Sequence, residues 1–400
     1  MFGRTEEMVM NKLIKKGLRK YCPAIPGLRK ALMKQKIKQI EQYKLESVEQ
    51  LPDDPDINQK REFVSEFSKC KKLYAEQIQK KLDDYLSVLK ADKEGDTLES
   101  KTDILFCCFA YGFMPDEYFV YELRNKTGKE RKSYISDRDR YLLVYRMNDI
   151  IDMDIYLDKF RTYKYFKQYY KRDAVGISKK SDKTKFLDFI KNHPVFVQKN
   201  VSLSRGKSVS LVDINKVQCE PEEYFRKLIS EGEFILEERV VQSEVMSKLN
   251  PSSVNTVRCI TFNTPDGIKI GPCFLKVGQG NSFIDNGGAG GILVGIDNKT
   301  GVLSTDGYDE FLNQYKIHPD TKTTFQGYQL PEWNSLIALA KEISQITPSV
   351  RYIGWDFSHT EEGWLIIEGN ASGQMIGPQI VWKKGMKEEI CKLLEGVITL

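Results

Sequence analysis

The segment YIGWDFSHTEEGWLIIEGN, Tyr352 to Asn370, constrains the fold of this 400-residue chain more tightly than any other stretch. Two runs of Trp, Phe, Leu and Ile flank Thr360-Glu361-Glu362-Gly363, a polar turn ending in glycine. That pattern predicts a β-hairpin. With the turn centred on Glu362, Asp356 falls opposite Glu368. Side chains alternate along a strand, so Ile353, Trp355 and Phe357 share one face with Leu365 and Ile367, while Asp356, Glu368 and Asn370 share the other. Directly opposed Cβ atoms lie ~5 Å apart. Two carboxylates at that separation repel unless a proton or a cation sits between them. Mg²⁺ is a hard ion that takes oxygen ligands at ~2.1 Å and keeps waters and phosphate oxygens as its other ligands. Asp356, Glu368 and Asn370 are therefore candidate metal ligands. The competing reading is a solvated acidic edge, and a register slip of one residue would separate the three.

A chain of this length predicts two or three domains at ~150 residues each. Its 40% apolar and 29% charged residues are those of an ordinary globular protein, and a net charge of +5 gives no indication of nucleic-acid binding. Eight cysteines without a C-x-x-C pair, and with no secretory signal before them, predict a reduced, cytosolic protein. Three histidines with no close Cys/His cluster in the sequence argue against a zinc site.

The first 115 residues read as α-helical. NKLIKKGLRKYCPAIPGLRKALMKQKIKQI is basic and amphipathic, broken by Pro23 and Pro26. Such a segment suits an anionic membrane surface, or a helix packed on its own domain with a solvated basic face. Residues 58–91 and 97–111 read as further helices, the second capped by Asp96 or Thr97. From about residue 130 strand-like and helix-like pieces alternate, which predicts an α/β or α+β fold.

FVQKN and SVSLV read as strands around the loop VSLSRGK. Lys199 ends the first strand. The loop offers Ser204, Gly206 and Lys207, whose backbone N–H groups, hydroxyl and ammonium suit phosphate oxygens. In FILEERVVQSE, a strand entering Glu237-Glu238 and leaving through Val240 presents backbone groups suited to an adenine edge, and Glu244 suits ribose hydroxyls. Arg258 lies in the mostly apolar strand VNTVRCITFNT and calls for an anionic partner. FIDNGGAGGILVGI carries clustered glycines beside Asp285 and Asn286, so its backbone can approach a ligand closely.

Taken in order, these pieces resemble the ATP-grasp superfamily, and most closely its sugar-transfer-associated branch. The resemblance covers roughly residues 130 to 395 and is strongest in NTVRCITF, DNGGAGGI and GWDFSHTEEGWLIIEGN. It implies an α+β fold gripping ATP between two halves, with residues 116–195 as the N-terminal part of the grasp and 196–400 as its nucleotide- and metal-binding part, preceded by the helical region read above over residues 1–115. It implies Mg²⁺ on Asp356, Glu368 and Asn370. Lys199 and Lys159 would lie on the nucleotide phosphates, Glu237, Glu238 and Val240 at the adenine, and Glu244 at the ribose. Ser204, Gly206, Lys207 and Asn286 would line the phosphates, and Arg258 would steady the transferring phosphoryl group. Two departures stand out: Asn200 replaces the proline usual after the strand lysine, and the phosphate-covering loop is poor in glycine. The implied activity is an ATP-dependent carboxylate–amine ligase acting on small, sugar-linked substrates; the basic N-terminal helices, outside the resemblance, would add peripheral membrane contact. A phosphotransferase and a non-catalytic nucleotide-binding scaffold are the alternatives.

Overall fold

The computed structural model describes residues 26–89, 97–201, 209–285, 288 and 290–398. The chain divides into two compact units, residues 1–154 with 384–400, and residues 155–383.

Among the described residues, the first unit is helical. Asp56 caps the helix Ile57–Cys70 through a reciprocal box with Gln59. A break at Lys71 separates it from the helix Lys72–Leu89, where the sequence reads as one continuous helix. The helix Leu98–Phe106 starts at Thr97, as expected, and passes into a wide π-type turn over Cys107–Tyr111. The core of this unit is aromatic: Phe67 stacks on Phe109 at 4.2 Å between ring centroids, and Phe63 meets Phe106 edge-on. Asp103 ties it together, accepting from Arg131, Lys60 and Tyr118 at 2.6–2.9 Å. The helix Pro26–Glu41 packs on the helix Asp137–Met147 and anchors Arg29 to Asp149 and Asp152. Lys30, Lys34 and Lys38 are exposed along one of its faces. Residues 1–25 of the basic segment lie outside the described residues.

Helix continues to Tyr170, so the alternation expected from residue 130 begins only at Ala174. The second unit contains two antiparallel sheets. Strands β1 (Ala174–Ile177), β2 (Val195–Asn200), β3 (Val209–Asp213) and β4 (Phe234–Glu238) form the smaller one, in the order β1-β4-β2-β3. Its outer face carries Phe196, Phe234 and Leu236. These pack against Phe186, Phe189 and Ile190 of the helix Lys183–Asn192 and against Phe225 and Leu228 of the helix Pro221–Glu231.

The larger sheet is built from β5 (Thr256–Thr264), β6 (Gly267–Val277), β7 (Ile292–Ile296), β8 (Leu303–Tyr308), β9 (Gln314–Tyr315), β10 (Tyr352–Thr360) and β11 (Gly363–Asn370). Its order is β11-β10-β5-β6-β7-β8-β9. One face buries Trp355 completely. Its indole N–H donates to Thr261 and Ser344, and its rings meet Tyr156 and Phe166 edge-on.

Candidate active site

The hairpin brings Asp356 and Glu368 together by a route the sequence does not display. The turn is tight, with Thr360 paired to Gly363. Continued without interruption, that register would set Asp356 opposite Ile367. A bulge between Asp356 and Phe357 absorbs one residue, so Phe357 faces Ile366 while Asp356 faces Glu368 and Gly354 faces Asn370. Glu368 and Asn370 therefore share the Asp356 face, as expected. Leu365 does not lie on the Trp355 face: it pairs with Ser358, and Ile366 takes the place opposite Phe357. Gly369 is required between the two polar residues, since a Cβ there would lie 2.8 Å from the Trp355 ring.

Across the sheet the row continues. Asp356 pairs with Arg258 of β5, and Arg258 with Phe274 of β6. Asp356 is 3% exposed and accepts from Arg258 Nε at 2.6 Å and Nη2 at 2.9 Å, and from Lys276 Nζ at 3.1 Å. Although burial opposes its ionisation, these two cations hold its pKa at about 2. The anionic partner expected for Arg258 is thus the candidate metal ligand itself. Lys276 was not singled out in the sequence, although it carries the same signal as Arg258, a cation in an apolar strand.

Glu368 is half-buried and has no hydrogen-bond or ion-pair partner among the described residues. Its charge acts on Lys159 and Arg258. The set fits a hard divalent cation. Asp356 stays ionised, three of its roughly four lone-pair positions are used, and a second carboxylate and an amide oxygen lie on the same face.

The smaller sheet contributes a second cluster. Lys199, one residue before the end of β2, donates to Glu237 at 2.9 Å. Arg172 holds the same carboxylate through Nε at 3.0 Å and Nη2 at 2.6 Å. Burial opposes the Glu237 charge, but Lys199 and Arg172 outweigh it and hold the pKa at about 2. Nothing in the sequence marks Arg172. The Glu237 carboxylate is committed to these cations, so it holds Lys199 in place. Lys159 opens the helix Lys159–Tyr170 and donates to the Asn200 carbonyl at 3.3 Å, which places it beside Lys199 and not on an open helix surface. Burial lowers its pKa, and Glu368 pulls the other way.

Of the remaining expected residues, Glu238 ends β4 on the opposite face from Glu237. Val240 follows outside any helix or strand, and Glu244 is exposed at the start of the helix Glu244–Ser247, paired with Lys248. Asp285 is buried and accepts from Thr256 Oγ1. Ser204, Gly206, Lys207 and Asn286 lie outside the described residues.

The sequence profile of the sugar-transfer associated ATP-grasp family matches residues 145–394. The chain belongs to that family. No curated protein matches it. Among solved structures, it is similar to the ATP-grasp ligase PsnB complexed with minimal precursor, at 11% identity over 67% of this chain and 70% of that one, with a TM-score of 0.40. It is also similar to D-alanyl-alanine synthetase A from Vibrio cholerae, at 10% identity over 61% and 65% of the two chains, with a TM-score of 0.40. A third is the ADP complex of purK, an N5-carboxyaminoimidazole ribonucleotide synthetase, at 14% identity over 61% and 53%, with a TM-score of 0.36.

Proposed function

We propose that this member of the family is an ATP-dependent carboxylate–amine ligase, forming an amide with ADP and phosphate as by-products. The observation that supports it best is the opposition of Asp356 and Glu368 with Arg258 and Lys276 on the same carboxylate. Asp356, Glu368 and Asn370 would hold Mg²⁺, which when bound neutralises charge on the phosphate oxygens. Lys199, fixed by Glu237, and Lys159 would bind the nucleotide phosphates, with the backbone of Glu238–Val240 at the adenine and Glu244 at the ribose. Arg258 would stabilise negative charge as the phosphoryl group moves to the acceptor carboxylate. Amine attack on the resulting acyl phosphate then releases phosphate and leaves the amide. The chain's own contribution is positioning and charge, since this cluster contains no Ser–His or Cys–His pair.

We take the acid to be a sugar acid or an amino acid of a surface polysaccharide, a reading in keeping with the sugar-transfer association of the family. The exposed Lys30, Lys34 and Lys38 favour contact with an anionic membrane carrying such a precursor. Hydroxylamine trapping with ATP and Mg²⁺ across uronic acids and amino acids tests the chemistry. A hydroxamate that forms with the native protein and is lost with Asp356→Asn plus Glu368→Gln is expected. ATP consumption that needs an alcohol and yields no hydroxamate would make the protein a phosphotransferase instead. Unchanged liposome sedimentation after removal of residues 1–40 would refute the membrane contact.

A further inference from the structure

Three residues far apart in sequence meet on the outer face of the smaller sheet. Asp173 immediately precedes β1, Glu238 is the last residue of β4, and His193 closes the helix Lys183–Asn192. One ligand atom from each lies within 4.8 Å of the other two. His193 Nε2 is 3.2 Å from Asp173 Oδ2, and Nδ1 is 4.0 Å from Glu238 Oε1.

The frame holding them is rigid. Glu238 N–H donates to the Asp173 carbonyl at 2.8 Å, and Asp173 N–H donates to Glu238 Oε2 at 3.0 Å. The His193 N–H donates to the Phe189 carbonyl, and its ring packs on Phe189 at 4.9 Å, leaving the side chain 17% exposed.

What singles the cluster out is its charge. The cations next in sequence are turned elsewhere: Arg172 crosses to Glu237 on the inner face, and Lys171 donates to the Glu362 carbonyl. Among the described residues neither Asp173 nor Glu238 is ion-paired with a lysine or arginine. Within ion-pair distance the imidazole is the only chargeable partner of these two carboxylates among the described residues, while Lys164, Lys167 and Lys171 line the hollow beside them.

We propose that Asp173, His193 and Glu238 bind a divalent transition-metal ion of the Zn²⁺ type, at a site separate from Asp356 and Glu368. An imidazole nitrogen and two carboxylates form a donor set of the His/carboxylate kind used by three-ligand zinc sites, with the remaining position left to water. The imidazole selects against Mg²⁺, which prefers oxygen. The ligand atoms stand wider apart than in a closed site with bonds of ~2.0–2.2 Å. Asp173 meets Nε2 and Glu238 meets Nδ1, and an ion takes a single ring nitrogen, so binding at Nδ1 beside Glu238 requires Asp173 to leave its 3.2 Å hydrogen bond and swing round; its side chain, 69% exposed, has the room to do so. The sequence does not display the site because strand pairing and a helix end, not local spacing, bring the ligands together.

The test is a Zn²⁺ titration of the full chain, with binding read by metal content after gel filtration and by Co²⁺ absorption, in excess Mg²⁺ to fill an oxygen-rich site. One bound ion is expected, with affinity falling at least ~10-fold in both His193→Gln and Asp173→Asn. It should be unchanged in Asp356→Asn plus Glu368→Gln. Asp173 is exposed, so its variant keeps the test valid if the His193 variant misfolds. Absence of binding, equal binding in Asp173→Asn, or loss confined to the Asp356 and Glu368 variant would each overturn the assignment.

Discussion

Replacing Asp356 by Asn removes one charge and leaves side-chain volume almost unchanged. In the native protein this carboxylate is 3% exposed and compensates Arg258 and Lys276, whose side chains are 13% and 11% exposed. The variant leaves both cations buried without their counter-ion. Removing one member of such a buried pair costs ~3–5 kcal/mol. For a cooperative unit the size of residues 155–383, each kcal/mol lowers Tm by ~2–4 °C, so a drop of roughly 6–20 °C is expected. Calorimetry without nucleotide or metal measures it. Adding Lys276→Met to the variant removes one stranded cation and should recover part of the loss, with a coupling of ~0.5–3 kcal/mol. An unchanged Tm in Asp356→Asn, or strictly additive losses in the double variant, would show that the Arg258–Asp356–Lys276 cluster does not form before ligand binds.

Glu237→Gln should weaken ATP and GTP equally, because it loosens Lys199 and does not alter base recognition. A loss confined to ATP in fluorescence or calorimetric titrations would return Glu237 to the adenine. Gly369→Ala forces Trp355 to move and should cost ~1–3 kcal/mol in urea unfolding. A neutral effect would mean that the Trp355 contact is not as close as 2.8 Å. Acid should destabilise the second unit in a defined window. Asp356 and Glu237 have folded-state pKa values of about 2, below their ordinary carboxylate values, so the folded form binds fewer protons. The resulting stabilisation, on the order of 2–3 kcal/mol for each, is complete above pH ~4.5 and disappears as pH falls towards 2. A midpoint of acid unfolding that does not move in Glu237→Gln would contradict this.

The hairpin was legible because alternation and a glycine-ended turn act locally. Its register at the key pair was also right, but for a different reason. A two-residue turn with no interruption pairs Asp356 with Ile367, and only the bulge restores Glu368. Bulges depend on packing around the strand, here on Trp355 and Gly369, and leave no local mark. Arg258 was legible as a cation needing a partner, whereas Arg172 was not. It lies in a polar stretch, and its role follows from β1 pairing with β4, a contact between residues 65 positions apart. The late start of the sheets was missed for a similar reason. Aromatic residues between 141 and 170 suit either helix or strand, and packing of Phe166 and Tyr156 on Trp355 decides it.

Each sheet repeats one electrostatic device. In the smaller, Glu237 gathers Arg172 and Lys199, and in the larger, Asp356 gathers Arg258 and Lys276. Each cluster keeps a surplus of one positive charge, and Lys159 adds another, against the single negative charge of Glu368. Cations gathered in pairs like these would otherwise repel one another and splay apart. A carboxylate placed between each pair holds them in position before the ligand arrives, so less ordering is needed on binding. The geometry therefore favours a ligand carrying several negative charges over one carrying a single charge. Inorganic triphosphate should accordingly protect the second unit against heat far more than monophosphate at equal concentration. Equal protection by the two would mean that the clusters act separately and serve only the fold.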